Sequence, residues 1–533
     1  MYNNYTPLQQ RQLALQEYSN TQSIYLLVCA SARSTALKAT LTDQLHRKFR
    51  LVDRLDGELT ASVDGVLLAA EDVELMSTAL MYFAKALQDG ADYAVCNAVF
   101  GFGGATALYQ SQPLQAQNRC AVVSRTLLER CRAAAHDPEN VPELLALAAQ
   151  LCTKPTLIPQ ALLHYERGIC AEDAFSAHGK RAFIMSHVLD MTGAPIVLVS
   201  AVPVLRSMGY EVLVLGPSDG GSLHLFLDAG ASVITRSSCR NVSDAWGMAL
   251  CADFVIVNTV VMARAVRALS GTAVPVLWWL HDAFAGYPHI AHQIPTQLGE
   301  NVRVYSVGSH AANAMRAVRP EFEIRPLIYG LPDYAAENFV RTDLGYNRGR
   351  PLFATVGSFE RRKGHDIFCK AIRLLPPEVR EKASFLFVGQ AADKEMMDSV
   401  RALTADYPEN VYYCKRLTRD EIKSLMEQCT GLVCASRDDP MPTFVTEGLI
   451  FGKPSIVSEH TGTAGLISEG RNGFVYHDDD PQQLAVLLEH AIEHPEELAS
   501  MRTECRKMYE QYYSKEAFEQ TLRAAVEDLA AKK

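Results

Sequence analysis

The sequence predicts an α/β protein built from two Rossmann-like halves, preceded by a shorter α/β block of different character. Three observations carry this. From about Lys180, short apolar runs alternate with helical stretches, and from Pro351 a second series of the same kind begins. Apolar strands interleaved with helices imply parallel sheets covered on both faces. At 533 residues the chain exceeds what one core supports, and three or four domains are the expectation. The expected blocks are 1–176, 177–340 and 341–533.

Taken in order, RAFIMSHV is the first strand of the middle block and DMTGAP, with Gly193, the loop after it. IVLVSAVPVLRSMG reads as an apolar helix closed by Gly209, and EVLVLGP as the next strand. ASVIT, DFVIVN, PVLWWL, VRVYSV and EIRPLIY continue the alternation up to a hinge near Asp333 to Arg350. PLFATVG, SFLFVG, VYYCKR, GLVCAS and PSIVS are the strands of the second half. A final helix runs from about Ser514 to Ala530.

Composition narrows the function. A formal charge of -10 argues against a general nucleic-acid binder, which needs a basic face. Thirteen cysteines fall without C-x-x-C pairs, so neither a zinc site nor a disulfide framework is indicated, and they read as small core residues of a reduced protein. No apolar run reaches membrane-span length. The opening MYNNYTPLQQRQLALQEYSN lacks the charged-then-apolar order of a signal peptide, so the expected location is cytoplasmic. Arg316, Arg319 and Arg325 leave open a peripheral contact with the inner membrane face beside the ordinary reading as solvated arginines.

Ser436 to Gly473 is the most informative stretch. A polar loop holds Asp438 and Asp439, Pro442 and Thr443 open a short helix, and Glu447 lies in it eight residues after Asp439. Gly452 stops the helix, an apolar strand follows from Pro454 to Val457, and Thr461 to Gly465 form a glycine-bearing turn with Gly462 and Thr463. A helix start offers unpaired amides and the positive dipole end to an anion such as a diphosphate. A nearby carboxylate accepts hydrogen bonds from the vicinal hydroxyls of a ribose. Two carboxylates alone would be a solvated loop before an ordinary helix; the strand and glycine turn behind them favour a nucleotide-sugar site.

This stretch resembles the donor signature of the family 4 glycosyltransferases, retaining enzymes of the GT-B fold, whose two acidic residues stand eight apart. Here they are Asp439 and Glu447, and aspartate in the first place is a departure that shortens the side chain by one methylene. The resemblance implies the GT-B architecture for the two halves, with the terminal helix crossing back to brace the first. GSFERRKGHD, Gly357 to Asp366, follows a strand, and its Lys363-Gly364 matches the family's K-G. Lys363 is therefore assigned to the diphosphate. Ser358 stands where many members carry arginine, and Arg362 is taken as its replacement. An E-R-R-K run by itself is a solvated turn; its place between a strand and a helix favours the site.

In the first half, Gly193 matches the family's glycine-bearing loop, where backbone approaches ligand closely. His281, ending PVLWWLHD, matches the histidine that contacts the transferred sugar, at the sheet edge where α/β proteins bind ligands. Ser309 is similarly placed. Base and ribose are expected near Gly389 and the Arg416-Leu417 turn. Catalytic roles thus fall to Lys363, Glu447, Asp439 and His281. Donor contacts fall to Arg362, Gly193, Ser309, Gly389, Leu417, Thr443, Gly462 and Thr463. No metal and no cofactor are expected, the nucleotide-diphosphate sugar being substrate.

The first 175 residues resemble, weakly, a family 2 glycosyltransferase of the GT-A fold. SIYLLVCASARSTALKATLTDQL matches its opening, and DGVLLAAEDVELMSTALMYFAKAL its metal-site strand and next helix. The base-binding segment is missing between Leu45 and Asp64, and Ala70, Glu71 and Asp72 stand where the metal-binding D-x-D belongs. The expectation is a degenerate, truncated GT-A-like domain with a structural or acceptor-related role; a small metal enzyme using Glu71 and Asp72 is the alternative. Gly101 to Ala105 lacks the spacing of a dinucleotide fingerprint and reads as a flexible loop.

Three functions stay open at this level. One is a retaining glycosyltransferase acting on a glycan, lipid-linked or protein acceptor in polysaccharide or glycoconjugate assembly. The others are a nucleotide-sugar epimerase and a non-catalytic partner that binds glycan. An oligomer is left open, and the base, the sugar and the acceptor are not written in these residues.

Overall fold

The computed structural model describes residues 24–29, 35–41, 44, 46, 48–55, 63–69, 73–101, 106–110, 120–166, 179–236, 239–240, 244–477 and 479–530. Ala70, Glu71, Asp72 and the 102–105 stretch lie outside them. By compactness the chain divides into Met1–Ile256 and Val257–Lys533, with the division inside the strand Phe254–Asn258.

In the first unit, Leu26–Cys29 pairs in parallel with Phe49–Val52 and with Gly65–Ala69. Gly65–Ala69 pairs antiparallel with Cys120–Ser124, which neighbours Tyr93–Gly101. Alternate residues of these strands go to opposite faces, as a pleated strand requires. Leu26, Val28, Leu67 and Val122 enter one core; Leu27, Cys29, Val66 and Val123 enter another. A sheet buried on both sides explains why these runs read as continuously apolar.

The first block does not form a free-standing sheet. Tyr93–Gly101 pairs antiparallel with Thr106–Gln110, whose other edge pairs antiparallel with Ser232–Arg236 of the middle block. From there Tyr210–Gly216 and Lys180–Met185 continue the sheet in parallel. The expected apolar helix spans Gly193–Ser207 and carries Pro203 inside it; Gly209, at φ 85°, then turns the chain as anticipated.

The second unit holds parallel strands Val276–Leu280, Val302–Ser306 and Ile324–Pro326, and a separate six-stranded parallel sheet. The order of the latter is Val411–Cys414, Ser384–Val388, Leu352–Val356, Gly431–Cys434, Ser455–Ser458, Gly473–Tyr476. The chain builds outward from Leu352–Val356 on one side, then returns to place Gly431–Cys434 on the other. The order therefore reverses between those two strands, and ligands of open α/β sheets bind beyond the carboxyl ends at such a switch point.

The last helix runs Lys515–Ala530, with Ser514 as its cap: its hydroxyl oxygen accepts from the Ala517 amide at 3.1 Å. It braces the strands before the hinge, as expected. Phe518 stacks on Trp279 with ring centroids 5.7 Å apart, and Arg325 donates to Asp528 at 2.8 Å. Among the described residues no helix is long and apolar enough to cross a membrane.

Candidate functional site

The two loops that leave the switch-point strands carry the cations and carboxylates singled out in the sequence. After Leu352–Val356 the chain makes a turn at Arg361–Lys363 and starts the helix His365–Leu374. Gly364 sits between them at φ 65°, and a Cβ there would lie 1.7 Å from the carbonyl oxygen of Ala435. Only glycine allows that left-handed turn to press against the end of Gly431–Cys434, and this is the physical content of the K-G pair. The approach brings Lys363 Nζ to 2.5 Å from Asp439 Oδ2. The carboxylate is buried, and the lysine is 18% exposed. Arg362 donates to the backbone oxygen of Asp438 at 3.1 Å and pairs with Glu360 at 2.8 Å.

The Asp438-Asp439 loop is clamped from several sides. Asp439 N donates to His460 O, and Gly462 N to Asp439 O at 2.9 Å. A Cβ on Gly462 would lie 1.7 Å from the oxygen of Pro440, so the glycine turn closes directly on this loop. Thr463 is fully buried there, its hydroxyl 3.2 Å from that of Thr461. Ser309 is the exposed first residue of the helix Ser309–Val318, close enough to this turn that a Cβ on Gly465 would lie 2.8 Å from its Oγ.

Thr443 starts the helix Thr443–Ile450 as its first residue, Pro442 occupies the cap position, and no side chain caps the end. The amides of that first turn are thus left without a side-chain acceptor. Glu447, one turn on, accepts from Arg419 Nη1 at 2.6 Å. Burial pushes its carboxyl up, and Arg419 opposes this. Arg419 itself lies over the ring of Tyr334 at 4.1 Å. The Arg416-Leu417 turn runs into the capping box of Thr418 and Glu421 that starts the Arg419–Gln428 helix, so that turn sets where the Glu447 partner emerges. Gly389 follows Ser384–Val388 and sits against the backbone of Gly357, whose oxygen a Cβ would approach to 1.8 Å. His281 follows Val276–Leu280 and packs against Trp279, centroids 4.7 Å apart. Gly193 is the first residue of Gly193–Ser207 in the other compact unit, exposed, with open space where a Cβ would be.

Several neighbours were not read from the sequence. Asp438 accepts from His310 Nε2 at 2.6 Å and from the amides of Phe284 and Ala285 at 3.1 and 2.8 Å. Burial alone would raise its carboxyl; the hydrogen bonds from His310 and Ala285 outweigh it and hold the group below the usual range. The buried Tyr329 hydroxyl lies 3.4 Å from the Met441 oxygen. It is pushed well up by burial first, then by Tyr513 and by the carboxylates of Asp439 and Glu447. Burial also pushes the Asp282 carboxyl, which accepts from the Val260 amide at 2.6 Å, up to about 6. The aspartate pair was a legible hint of the Asp438 node. Nothing in the sequence marked His310 or Phe284 as its surroundings, or Arg419 as the partner of Glu447.

Residues 178–318 match the family model described as Glycosyl-transferase family 4, and residues 337–508 the one described as Glycosyl transferases group 1. Spore coat protein SA of Bacillus subtilis is 27% identical over 160 residues, covering 28% of this chain and 41% of the relative. An uncharacterized glycosyltransferase of Methanocaldococcus jannaschii is 25% identical over 194 residues, 36% of this chain and 53% of the relative. The chain thus spans about half the length of the curated relatives it matches. The crystal structure of HepE from Anabaena in complex with UDP is similar in fold, with a TM-score of 0.54 at 18% identity over 66% of this chain and 100% of that one. Two consecutive family segments and a parallel-sheet fold shared with HepE agree: residues 178–318 and 337–508 are glycosyltransferase segments, one of family 4 followed by one of group 1, on a GT-B-like fold.

Proposed function

We propose that the protein transfers a sugar, with retention, from a nucleotide-diphosphate sugar to a glycan or glycoconjugate acceptor and uses no metal to do so. The observation that carries this reading is the meeting of Lys363 with Asp439 between the carboxyl ends of the two switch-point strands. In the reaction the bond from the anomeric carbon to the diphosphate oxygen breaks. A bond from that carbon to an acceptor oxygen forms on the same face, and the acceptor proton leaves with the diphosphate. Negative charge develops on the leaving oxygens, so fixed cations and amide donors there lower the barrier. An ammonium has three N–H donors and Asp439 takes one, which leaves Lys363 donors for the diphosphate. The uncapped start of Thr443–Ile450 supplies amides and dipole to the same charge. Glu447, held by Arg419, is suited to accept from ribose hydroxyls.

The HepE complex with UDP makes UDP-sugars the first donors to test. The experiment is turnover of UDP-, GDP- and ADP-sugars by wild type and Lys363→Ala, with the product anomer read by NMR. An inverted anomer overturns the stereochemical assignment. Equal turnover by the variant overturns the assignment of Lys363. The first block is read as a degenerate GT-A-like domain without catalytic duty in this transfer.

A further inference from the structure

Phe284 is a large apolar side chain left 42% exposed, and its surroundings are built to hold it still. It opens the short turn Phe284–Gly286, four residues past the carboxyl end of Val276–Leu280. Its amide and that of Ala285 both donate to the Asp438 carboxylate. The same carboxylate receives His310 Nε2, and the His310 ring meets the Phe284 ring edge-on, centroids 5.0 Å apart at 61°. Buried Tyr287 donates its amide to the Phe284 oxygen at 3.1 Å and closes the turn from below.

A lone exposed apolar side chain on a surface needs no explanation. Here, though, a largely buried carboxylate and a buried histidine are committed to fixing the turn that carries it, one residue from the carboxylate that binds Lys363. A hydrophobic surface fixed in advance has already met much of the ordering cost of binding. Its partner should have an apolar face with positively polarised C–H groups, to match the negative face of the ring, and hydroxyls around the rim. That is the description of a pyranose.

We propose that Phe284 is the stacking platform of the acceptor subsite, on which a pyranose ring of the acceptor lies. Ser309, grouped with the donor contacts on sequence grounds, is reassigned to the acceptor side: its exposed hydroxyl, at the start of the helix that carries His310, offers a hydrogen bond to the ring's rim. This deepens the proposed transfer and rests on it. Asp438 and His310 act through the turn, as positioning residues.

The test is saturation-transfer NMR with a panel of methyl pyranosides (glucoside, galactoside, mannoside and N-acetylglucosaminide), beside calorimetry with UDP. Wild type should bind at least one glycoside, with saturation concentrated on the protons of one ring face. Phe284→Ala should weaken that binding at least about tenfold, the range of a truncated aromatic anchor. Phe284→Tyr should keep it, and Phe284→Leu should fall between. UDP affinity should be the same in all four proteins. No glycoside bound by wild type, or undiminished binding by a Phe284→Ala variant that circular dichroism shows folded, overturns the proposal. A parallel loss of UDP affinity overturns it too, because the ring would then serve the donor. Failure of wild type to bind any nucleotide diphosphate would strike the donor site and leave the glycoside result standing.

Discussion

Lys363 and Asp439 lie 76 residues apart in sequence and meet at 2.5 Å because the strands before them, Leu352–Val356 and Gly431–Cys434, are neighbours. Each side chain is delivered by the loop at its strand's carboxyl end. Removing the lysine should lower turnover on the order of a hundred- to a thousandfold, as for one oriented charge on a developing anion. It also leaves Asp439 buried without its cation, so Lys363→Ala should lose stability, whereas Asp439→Asn should be tolerated better. Glu447→Ala should weaken nucleotide diphosphate binding. Steady-state kinetics, thermal melts and calorimetry on the three variants check this, and near wild-type transfer by both Lys363→Ala and Glu447→Ala sinks the site.

Metal independence is the second expectation. With leaving-group charge met by Lys363, Arg362 and the start of Thr443–Ile450, EDTA should leave transfer largely intact. Glu71→Ala with Asp72→Ala should leave it unchanged. Strict dependence on manganese or magnesium would instead point to the N-terminal block.

The Asp438 node predicts a direction with pH. Its carboxyl is held below the ordinary value of 3.8, burial being outweighed by His310 and the 284–285 amides. A depressed carboxyl contributes stability that is complete above its ordinary value and is lost as pH falls through the lower, native one. Asp438→Asn should therefore melt below wild type at pH 5 and above, with the gap closing as the pH falls beneath 3.8. A gap that stays constant down to acid would mean that the charge on Asp438 does not hold the turn.

What the sequence revealed and what it hid follow from the range of each interaction. The strands were legible because burial on both faces makes them uniformly apolar, and Lys363, Asp439 and Glu447 because local patterns surround them: K-G, D-D-P and a glycine turn. Gly364 shows why such a pattern works, since its φ and the nearby Ala435 oxygen exclude any other residue. Partners chosen by the tertiary fold left no local trace. His310 reaches Asp438 across 128 residues, and Arg419 reaches Glu447 from a separate helix. The pairing of Thr106–Gln110 with Ser232–Arg236 was hidden for the same reason: strand period shows which face is buried, not which strand lies alongside.

That last pairing bears on how labour is divided along the chain. The proposed donor and stacking residues, Gly193 included, all lie beyond residue 176, so removing residues 1–175 should leave nucleotide binding in place. It also strips Thr106–Gln110 from Ser232–Arg236, leaving that strand as an open edge beside the parallel strand Tyr210–Gly216. An uncovered apolar edge invites association with another chain. The truncated protein should accordingly bind its nucleotide diphosphate within a few-fold of the full chain yet aggregate at lower concentration, and a charge placed on the half-exposed start of the new edge, as in Ser232→Lys, should relieve the aggregation. Calorimetry and light scattering on the two truncated forms provide the measurement. Loss of nucleotide binding in a truncation that circular dichroism shows folded would mean that the first block belongs to the donor site.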